Sequence, residues 1–508
     1  MPAAAANPIL LVATVAACTV TAGCRLGPDP VRPELKFDLT TTFAGSTLSE
    51  VDGETAAVDP RWWRRFGDNE IDRLVDRSIG GNFDLRAALA RARQARAARE
   101  VARGDRLPSA GLNASATGQR IGDAGFFPGV GGAGGGAPVP GGGGGGGDDF
   151  IEFYDLSLDV SWQTDLFGRL ARLEQAAAFD ESAARLDALA LAHTLVARTI
   201  QGRVAVATLQ TRVRLAEENV ESLKQTLEVV DGRYSAGVGD PVELRLAREN
   251  VASAEATVHP LQAELAAERY ALDVLTGIPP QRIDGNVAEL TALPSLPPPP
   301  VGLPAALLDR RPDLLASDFR ARAAKARVGA SIAAMFPDLT LSASAGSTSD
   351  MLDDLLDDGN FVYSIVGRLA QPIFQGGSLR AGVRQSRAGV DEAVASYAGL
   401  VLVAMREVSE ALVRERGARN EAEALTRALA EAEAAESLAR ERYGRGVGDL
   451  LLIFEAERRR RAAEERLALA RQLVWNARIN LHLALGGDWD LPETGEPMLD
   501  DASTNDPS

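Results

Sequence analysis

The spacing of apolar residues along this chain changes between every three or four positions and every second position. The same order of these two patterns occurs twice. Between Trp62 and Pro108, apolar residues recur every three or four positions, which predicts two helices. Gly80–Asn82 separates them, and Asn82 or Asp84 can cap the second helix. The period then changes to two, in LNASATGQ at residues 112–119 and in YDLSLDVSWQ at residues 154–163. Alternation of this kind predicts half-buried β-strands.

The strand at residues 154–163 has two chemically different faces. One face carries carboxylate, hydroxyl and amide groups, on Asp155, Ser157, Asp159, Ser161 and Gln163. The other is apolar, and we expect it to contact lipid: Tyr154, Leu156, Leu158, Val160 and Trp162. The glycine-rich residues 122–147 precede this strand and predict a flexible loop, because such a composition cannot bury a core.

A long helical pattern follows the strands. No proline interrupts residues 169–234, and roughly 65 residues at 1.5 Å each give a helix about 100 Å long. A turn then reverses the chain, and a return helix is predicted as far as residue 277. Pro260 is expected to kink or break this return helix.

The second half of the chain repeats this order of elements, which predicts two tandem copies. We predict a signal peptide at 1–23, a lipid-anchored tether at 24–61, a first repeat at 62–293, a proline-rich linker at 294–304, a second repeat at 305–487 and an acidic tail at 488–508. The strands are expected near 110–119, 150–165, 337–347 and 361–374. The long helices are expected at 169–234, 240–277, 378–443 and 449–486.

An octapeptide marks the helix-to-helix turn in each copy. RYSAGVGD begins at Arg233 and RYGRGVGD begins at Arg442. The glycines can adopt the positive φ that ends a helix, and the aspartate can cap the returning helix. The residues of the two turns are Gly237, Gly239, Asp240, Gly446, Gly448 and Asp449.

Four amphipathic strands cannot form a membrane pore alone. Lipid tolerates no open sheet edge, and bacterial barrels begin at eight strands. The pattern therefore predicts oligomerisation, with eight strands from two chains or twelve from three. The fold class is mainly α with a small β part.

Charge and composition exclude several functions. The formal net charge of −17 argues against nucleic acid, which needs a basic surface. His193, His259 and His482 lie at no metal-ligand spacing, and we interpret them as ordinary helix residues. No nucleophile–base pair or phosphate-binding loop is present, so neither an enzyme nor a cofactor is expected. After the first two dozen residues we find no apolar run approaching the ~18 residues of a spanning helix.

The N-terminus has the pattern of an export signal. Ile9–Val20 is apolar and TAGC follows it, ending at Cys24. Small residues before a cysteine resemble the lipobox of bacterial lipoproteins, in which Cys24 would be acylated and act as the anchor. Thr21 stands where that motif usually has leucine, and no Lys or Arg precedes the apolar run. Plain secretion without a lipid is the alternative.

The chain resembles the TolC-like outer membrane factors, in particular the lipoprotein branch that serves tripartite efflux pumps. The resemblance covers nearly everything from Cys24 to Trp489. It is carried by the two octapeptides and by WWRRFGDNEIDRLVDRSIGGNFDL (62–85), SWQTDLFGR (161–169), RRPDLLASDFRARAAKARVGASIAAMFPDLTLSASAG (310–346) and QPIFQGG (371–377).

The resemblance implies a homotrimer with a twelve-stranded barrel in the bacterial outer membrane and a helical tunnel in the periplasm. It implies passive conduction of small molecules, such as drugs or other toxic compounds, to the cell exterior. The energy would come from an inner-membrane RND-type transporter, joined to the channel through a periplasmic adaptor. The exposed helix turns are where the adaptor would dock.

The resemblance also implies an aperture at the periplasmic helix tips, with Glu455, Glu243 and Tyr443 as its residues. Leu452 and Gly448 stand where one branch has a further acid and an arginine, so the gate bonds of that branch do not carry over. A ring of Glu455 side chains would favour cations and bind divalent cations. Alternatively, Glu455 is an exposed helix residue paired with Arg458 and Arg459 at i+3 and i+4.

Two other functions remain open from the sequence. One is an outer membrane conduit for type I protein secretion. The other is a periplasmic coiled-coil adaptor, although one hairpin per chain and no lipid-facing strand would be expected of it.

Overall fold

The computed structural model describes residues 25–35, 37–39, 43, 61–121, 149–280 and 307–486. The predicted signal peptide, Cys18, Cys24, the proline-rich linker and the acidic tail lie outside the described residues. So do nearly all of the glycine-rich segment and most of the tether.

Helices dominate the described residues, with one small sheet. A 3₁₀ helix, Trp62–Phe66, precedes the first α-helix. The α-helices are α1 (Asn69–Gly81), α2 (Phe83–Gly104), α3 (Arg169–Ser235), α4 (Pro241–Leu275), α5 (Leu307–Arg310), α6 (Pro312–Ala333), α7 (Ser378–Gly444) and α8 (Leu450–Ala484). The strands are β1 (Ser109–Ile121), β2 (Asp149–Thr164), β3 (Asp338–Ser349) and β4 (Phe361–Ala370). This confirms the mainly α fold class.

α4 is not broken at Pro260, so the predicted break was wrong. The helix continues through Pro260 to Leu275. On one side of the proline, Val251 and Ala254 pack on Leu223 of α3. On the other side, Leu272 packs on Val206. Tertiary packing on both sides stabilises a helix that propensity alone would interrupt.

The sheet is antiparallel, in the order β1-β2-β3-β4. Its register places Leu112 opposite Leu158 and Leu158 opposite Ala345, so apolar residues share one face. On the other face, Asn113 donates to Asp159 and Thr348 donates to Asp155 at 3.0 Å. In the single chain, β1 and β4 each have one partner strand, and all ten residues of β4 are exposed.

Contacts divide the chain into two compact units, the first of which contains the sheet. It comprises residues 1–33, 94–181 and 319–394. Its helices approach each other through small residues: Ala176 of α3 is buried with Ala323 and Ala326 of α6, and Phe179 packs against them. Alanine permits this close approach because it has only a methyl group to accommodate.

The second unit comprises residues 34–93, 182–318 and 395–508. An aromatic cluster in this unit joins the WWRRF segment to two long helices. Trp62, Trp63 and Phe66 are buried with Ile200 of α3 and Trp475 of α8. The ring of Trp62 also stacks on His482, with 4.5 Å between the ring centres.

Helix α7 contains a segment long and apolar enough to cross a membrane by composition. The expectation of no such segment was therefore wrong. In the same helix, Tyr397, Val401 and Val408 are buried in a core cluster, whereas Leu402 and Val403 are exposed. Core helices of soluble proteins have the same composition, so it carries no conclusion about the membrane.

Candidate functional site

The two octapeptide turns have the same backbone hydrogen bonds. Between α3 and α4, the amide of Gly237 donates to Tyr234 O, and the amide of Val238 donates to Arg233 O, each at 3.0 Å. The equivalent bonds between α7 and α8 run from Gly446 to Tyr443 (2.9 Å) and from Val447 to Arg442 (3.1 Å). One turn structure is therefore built twice, at the end of each long hairpin.

The two glycines of each turn are required for different reasons. Gly237 and Gly446 have φ of 76° and 73°, the left-handed region that the sequence predicts. Gly239 and Gly448 do not adopt positive φ, which corrects the prediction for them. A Cβ at Gly239 would lie 2.6 Å from the backbone nitrogen of Tyr234, so the turn leaves no room for a side chain there.

Both predicted N-caps are formed. The Asp240 carboxylate accepts a hydrogen bond from the amide of Val242 at 2.8 Å, and Asp449 accepts one from Leu451 at 3.0 Å. Pro241 occupies the first position of α4, where its missing N–H costs nothing.

A hydrophobic cluster joins the ends of the two hairpins. It contains Val230 of α3, Leu244 and Ala247 of α4, Ala439 and Tyr443 of α7, and Leu450, Ile453 and Ala456 of α8. Tyr443 is buried, and the guanidinium carbon of Arg233 lies 4.9 Å from the centre of its ring. Burial raises the pKa of the Tyr443 hydroxyl, and the negative charge of Glu243 raises it further.

A group of buried charges continues from this cluster. Glu457 of α8 is almost completely buried and accepts a hydrogen bond from Arg440 of α7. Arg440 also donates to Ser222 of α3 at 2.7 Å and to Glu436 at 2.9 Å. Burial raises the pKa of Glu457, against the lowering effect of Arg440. The charge group thus ties three of the four hairpin helices together.

Glu455 is ion-paired within its own helix, as the alternative interpretation predicts. Its carboxylate accepts hydrogen bonds from Arg458 at 2.8 Å and from Arg459 at 2.7 Å. Hydrogen bonds from Arg459 and then from Arg458 lower the pKa of Glu455, so the carboxylate is ionised at neutral pH. Glu455 and its two partners are therefore one exposed charge group.

The turns also expose apolar side chains. Val238 and Val242 are exposed at the first turn, and Val447, Leu451 and Leu452 are exposed at the second. A cluster of exposed aliphatic residues at a loop is typical of a surface that binds another protein.

The five predicted lipid-facing residues of β2 share one face, as their alternation requires. The indole N–H of Trp162 donates to the backbone oxygen of Arg106 at 3.0 Å, and the hydroxyl of Tyr154 donates to Glu152 at 2.9 Å. The polar ends of both aromatic side chains are thereby satisfied, which leaves their rings beside Leu156, Leu158 and Val160.

Comparison with known proteins agrees with this geometry. The family described as "Outer membrane efflux protein" matches residues 74–278 and 303–487. This chain belongs to that family. Outer membrane protein OprJ of Pseudomonas aeruginosa is 31% identical over 498 residues, which cover 96% of this chain and 97% of OprJ. The toluene efflux pump outer membrane protein TtgF of Pseudomonas putida is 28% identical, over 94% of this chain and 96% of TtgF.

A solved structure of the outer-membrane channel OprN is also similar to this outer membrane efflux protein. The TM-score is 0.80 at 30% identity, and the match covers 91% of this chain and 99% of OprN. The structural relatives are TolC-like channels with a helical tunnel and a β-barrel, which is the fold class expected above.

Sequence reasoning missed how this efflux protein holds its N-terminal segment. Arg172, buried in α3, donates to Leu26 O at 3.0 Å and to Gly27 O at 3.4 Å. A Cβ on Gly27 would lie 2.4 Å from Gly329 Cα of α6, so the segment and the helix touch through two glycines. Lys325 donates to Val31 O at 2.9 Å. Gly27 and Gly329 were the available signal in the sequence, because two backbone segments approach this closely only where side chains are absent.

The charge group of Glu457, Arg440 and Glu436 was also missed. Glu436 and Arg440 lie four residues apart on α7, and Glu457 lies on α8. Nothing local distinguishes them from solvated charges. Among the described residues, no group of three or more His, Cys, Asp or Glu side chains could hold a metal ion.

Proposed function

We propose that three copies of this protein form the outer membrane channel of a tripartite efflux system. The observation that supports it most directly is the four-stranded sheet with β1 and β4 unpaired on their outer sides. Pairing β4 of one copy with β1 of the next closes a twelve-stranded barrel and removes both edges. The channel conducts its cargo passively and does not change it chemically.

The mass of the protein extracted from outer membranes tests this assembly. Light scattering with the detergent contribution subtracted is expected to give three times the chain mass. A mass of two chains would replace the trimer by an eight-stranded dimer. A folded monomer would overturn the channel and favour an adaptor-like role.

We infer that the apolar face of the sheet contacts lipid and that the polar face lines the pore. Ile365 shares the face of Val160 through Ala343, whereas Ser364 shares the face of Asp159 through Ser344. A lysine on the lipid side of a barrel costs about 2–4 kcal/mol at mid-membrane, and one in a watery lumen costs little. Ile365→Lys is therefore expected to reduce the amount of assembled protein in outer membranes. Ser364→Lys, its neighbour on the other face, is the matched control; equal losses in both would contradict the assignment.

We propose that the exposed turns dock a periplasmic adaptor, which connects the channel to an inner-membrane RND-type transporter. The names of relatives, including a toluene efflux pump protein, support efflux of small molecules. The docking residues are Gly237, Gly239, Asp240, Gly446, Gly448 and Asp449, flanked by the exposed valines and leucines described above. Val447→Asp is expected to reduce cross-linking to the adaptor and to sensitise cells to efflux substrates, with assembly unchanged. Leu356→Asp, at another exposed leucine outside the turns, should leave both properties unaltered.

At the same end of the hairpins we propose the periplasmic aperture, with Glu455, Glu243 and Tyr443 as its residues. Burial of Tyr443 among four helices supports a closed resting arrangement. Single-channel recording tests it: Tyr443→Ala is expected to raise the conductance, and an unchanged conductance would remove Tyr443 from the aperture.

Lipid anchoring at Cys24 is part of the same proposal. The residues that follow it are held at the junction of β2 and α3, where Leu26 N donates to Phe167 O at 3.4 Å. Mass spectrometry of the purified protein should show an N-terminal acylated cysteine, and Cys24→Ala should abolish it. An unmodified N-terminus would mean plain secretion.

A further inference from the structure

Helix α8 carries four consecutive arginines, and they divide into an inward pair and an outward pair. Arg460 binds Glu436 and Glu464, and the Nε of Arg461 donates to the backbone oxygen of Glu457 at 3.2 Å. Arg458 and Arg459 point away from this group, with 69% and 71% of their side chains exposed. Only the outward pair is therefore available to molecules that pass the helix.

The outward pair shares one carboxylate. Both guanidinium groups bind Glu455, Arg458 at 2.8 Å and Arg459 at 2.7 Å. Two positive charges against one negative charge leave one excess positive charge on this face of α8 in every chain. Because both guanidinium groups contact the Glu455 carboxylate, they neutralise its negative charge locally.

Helical geometry keeps these charges together whichever way the face points. Residues three and four apart lie on one side of a helix, so Arg458 and Arg459 lie beside Glu455 on any surface that Glu455 faces. The exposed stripe continues through Arg466, which adds a further positive charge. Exposed leucines lie beside the C-terminal part of this stripe: Leu469 and Leu473.

We infer that the entrance of the channel prefers small anionic molecules with an apolar part, and that Arg458 and Arg459 determine this preference. The inference rests on the proposed function, because it needs Glu455 to face the aperture. It is opposite to the cation preference expected from a ring of Glu455 alone. The guanidinium groups would bind carboxylate or similar oxyanions, and the leucines would contact the apolar part.

Exposure makes this binding reversible. An exposed Arg–Glu pair is weak in water, so a passing carboxylate can replace Glu455 on one guanidinium at little cost. A ring of three such groups concentrates counter-charged solutes at a constriction, since fields focus in narrow polar openings.

The test is ion selectivity of the purified channel in planar lipid bilayers, from the reversal potential in a potassium chloride gradient. The wild-type protein is expected to favour chloride. Arg458→Gln combined with Arg459→Gln should lower the chloride-to-potassium permeability ratio at least roughly twofold. Arg458→Lys with Arg459→Lys keeps the charge and should keep the preference. Glu455→Gln should strengthen it.

A matched control uses two exposed arginines on α2. Arg93 and Arg96 are exposed, and Arg96 pairs with Glu100 at 3.5 Å. Replacing both with glutamine removes the same charge from the chain and should leave the permeability ratio unchanged. An equal shift in the control would mean that total charge, not the position of Arg458 and Arg459, sets the selectivity.

The outcomes separate the inference from the proposed function. Absence of any conductance in the wild-type protein would overturn the channel itself. Normal conductance with potassium preference, or no shift in the double glutamine variant, would overturn the inference alone. A double glutamine variant that no longer assembles would place these arginines at a contact between copies, which also overturns it.

Discussion

The guanidinium group of Arg233 lies over the ring of Tyr443, 4.9 Å from its centre. The two residues come from different copies of the octapeptide, and their counterparts Arg442 and Tyr234 are both exposed. The duplicated turn has therefore diverged in use, because one copy supplies the cation and the other supplies the ring. This contact joins the two hairpins directly at their ends.

Loss of the Arg233 cation is expected to loosen the hairpin ends. A cation over an aromatic ring contributes about 0.5–2 kcal/mol, depending on burial. Arg233→Gln should therefore speed amide hydrogen exchange in residues 230–235 and 439–444 by roughly 2- to 30-fold. Arg442→Gln, at the equivalent position of the other copy, is the control and should change little. Equal acceleration in both variants would show that the ring contact is not what holds the ends.

The two turn glycines are expected to respond differently to asparagine. Gly237 needs only a positive φ, which asparagine tolerates better than other residues, so Gly237→Asn should cost less than about 2 kcal/mol. Gly239 has no space beside the backbone of Tyr234, so Gly239→Asn should disrupt the turn and cost more. Limited proteolysis at the turns, with thermal unfolding of the assembled protein, measures both effects. A Gly239→Asn protein as resistant as Gly237→Asn would contradict the close approach.

For a buried ion pair in the second unit, we expect a single substitution to lower the free energy of unfolding strongly. A double substitution is expected to lower it less. Arg478 of α8 donates to Glu415 of α7 at 2.8 Å, and both are buried. Glu415→Leu leaves the Arg478 charge without its carboxylate and is expected to cost about 3–5 kcal/mol. The double variant with Arg478→Met should recover much of this loss, since the buried guanidinium of Arg478 is removed together with the carboxylate. Denaturant unfolding compares the two, and a double variant less stable than the single would reject the argument.

Buried histidines predict a loss of stability in mild acid. Burial, with Arg478 and Arg65 nearby, lowers the pKa of His482 to about 3, and burial lowers that of His193 to about 3 against the charge of Asp313. An unfolded histidine binds a proton below about pH 6.5, whereas these two remain neutral in the folded state down to about pH 3. The unfolded state therefore binds more protons as the pH falls from 6.5 towards 3, and stability decreases over that interval.

His482→Phe tests this pH dependence because phenylalanine can keep the stacking on Trp62. Between pH 7 and pH 5 the wild-type protein should lose about 2 kcal/mol more than the variant. The comparison cancels the opposite contribution of Glu457, whose raised pKa is common to both proteins. Parallel unfolding curves for the two proteins at both pH values would show that His482 is not the titrating group.

Local patterns predicted most of the fold. Alternation gave the strand of Trp162, and the repeated octapeptides gave both turns with their caps at Asp240 and Asp449, because these features depend on neighbouring residues. The continuity of α4 through Pro260 was not predictable, since it depends on packing against α3. The partners of Glu457 and of Tyr443 were equally hidden, because each contact joins positions that are remote in the sequence.

The arrangement of the candidate aperture was also only partly predictable from the sequence. Spacing along one helix predicted that Glu455 pairs with Arg458 and Arg459. It did not indicate that Arg460 and Arg461 point inward while Arg458 and Arg459 point outward. That division depends on where Glu436 of the neighbouring helix lies, which only the folded chain reveals.

The unpaired outer sides of β1 and β4 also bear on how the protein is made. Each presents a row of backbone N–H and C=O groups, and hydrocarbon offers them no hydrogen-bond partner. In the proposed three-copy assembly, a single newly exported copy has no stable place in the bilayer, so we expect insertion and subunit association to occur as one step. Before that step the strands lie in water with their apolar face uncovered. We therefore expect the unassembled copy to depend on chaperones and to be cut readily by proteases.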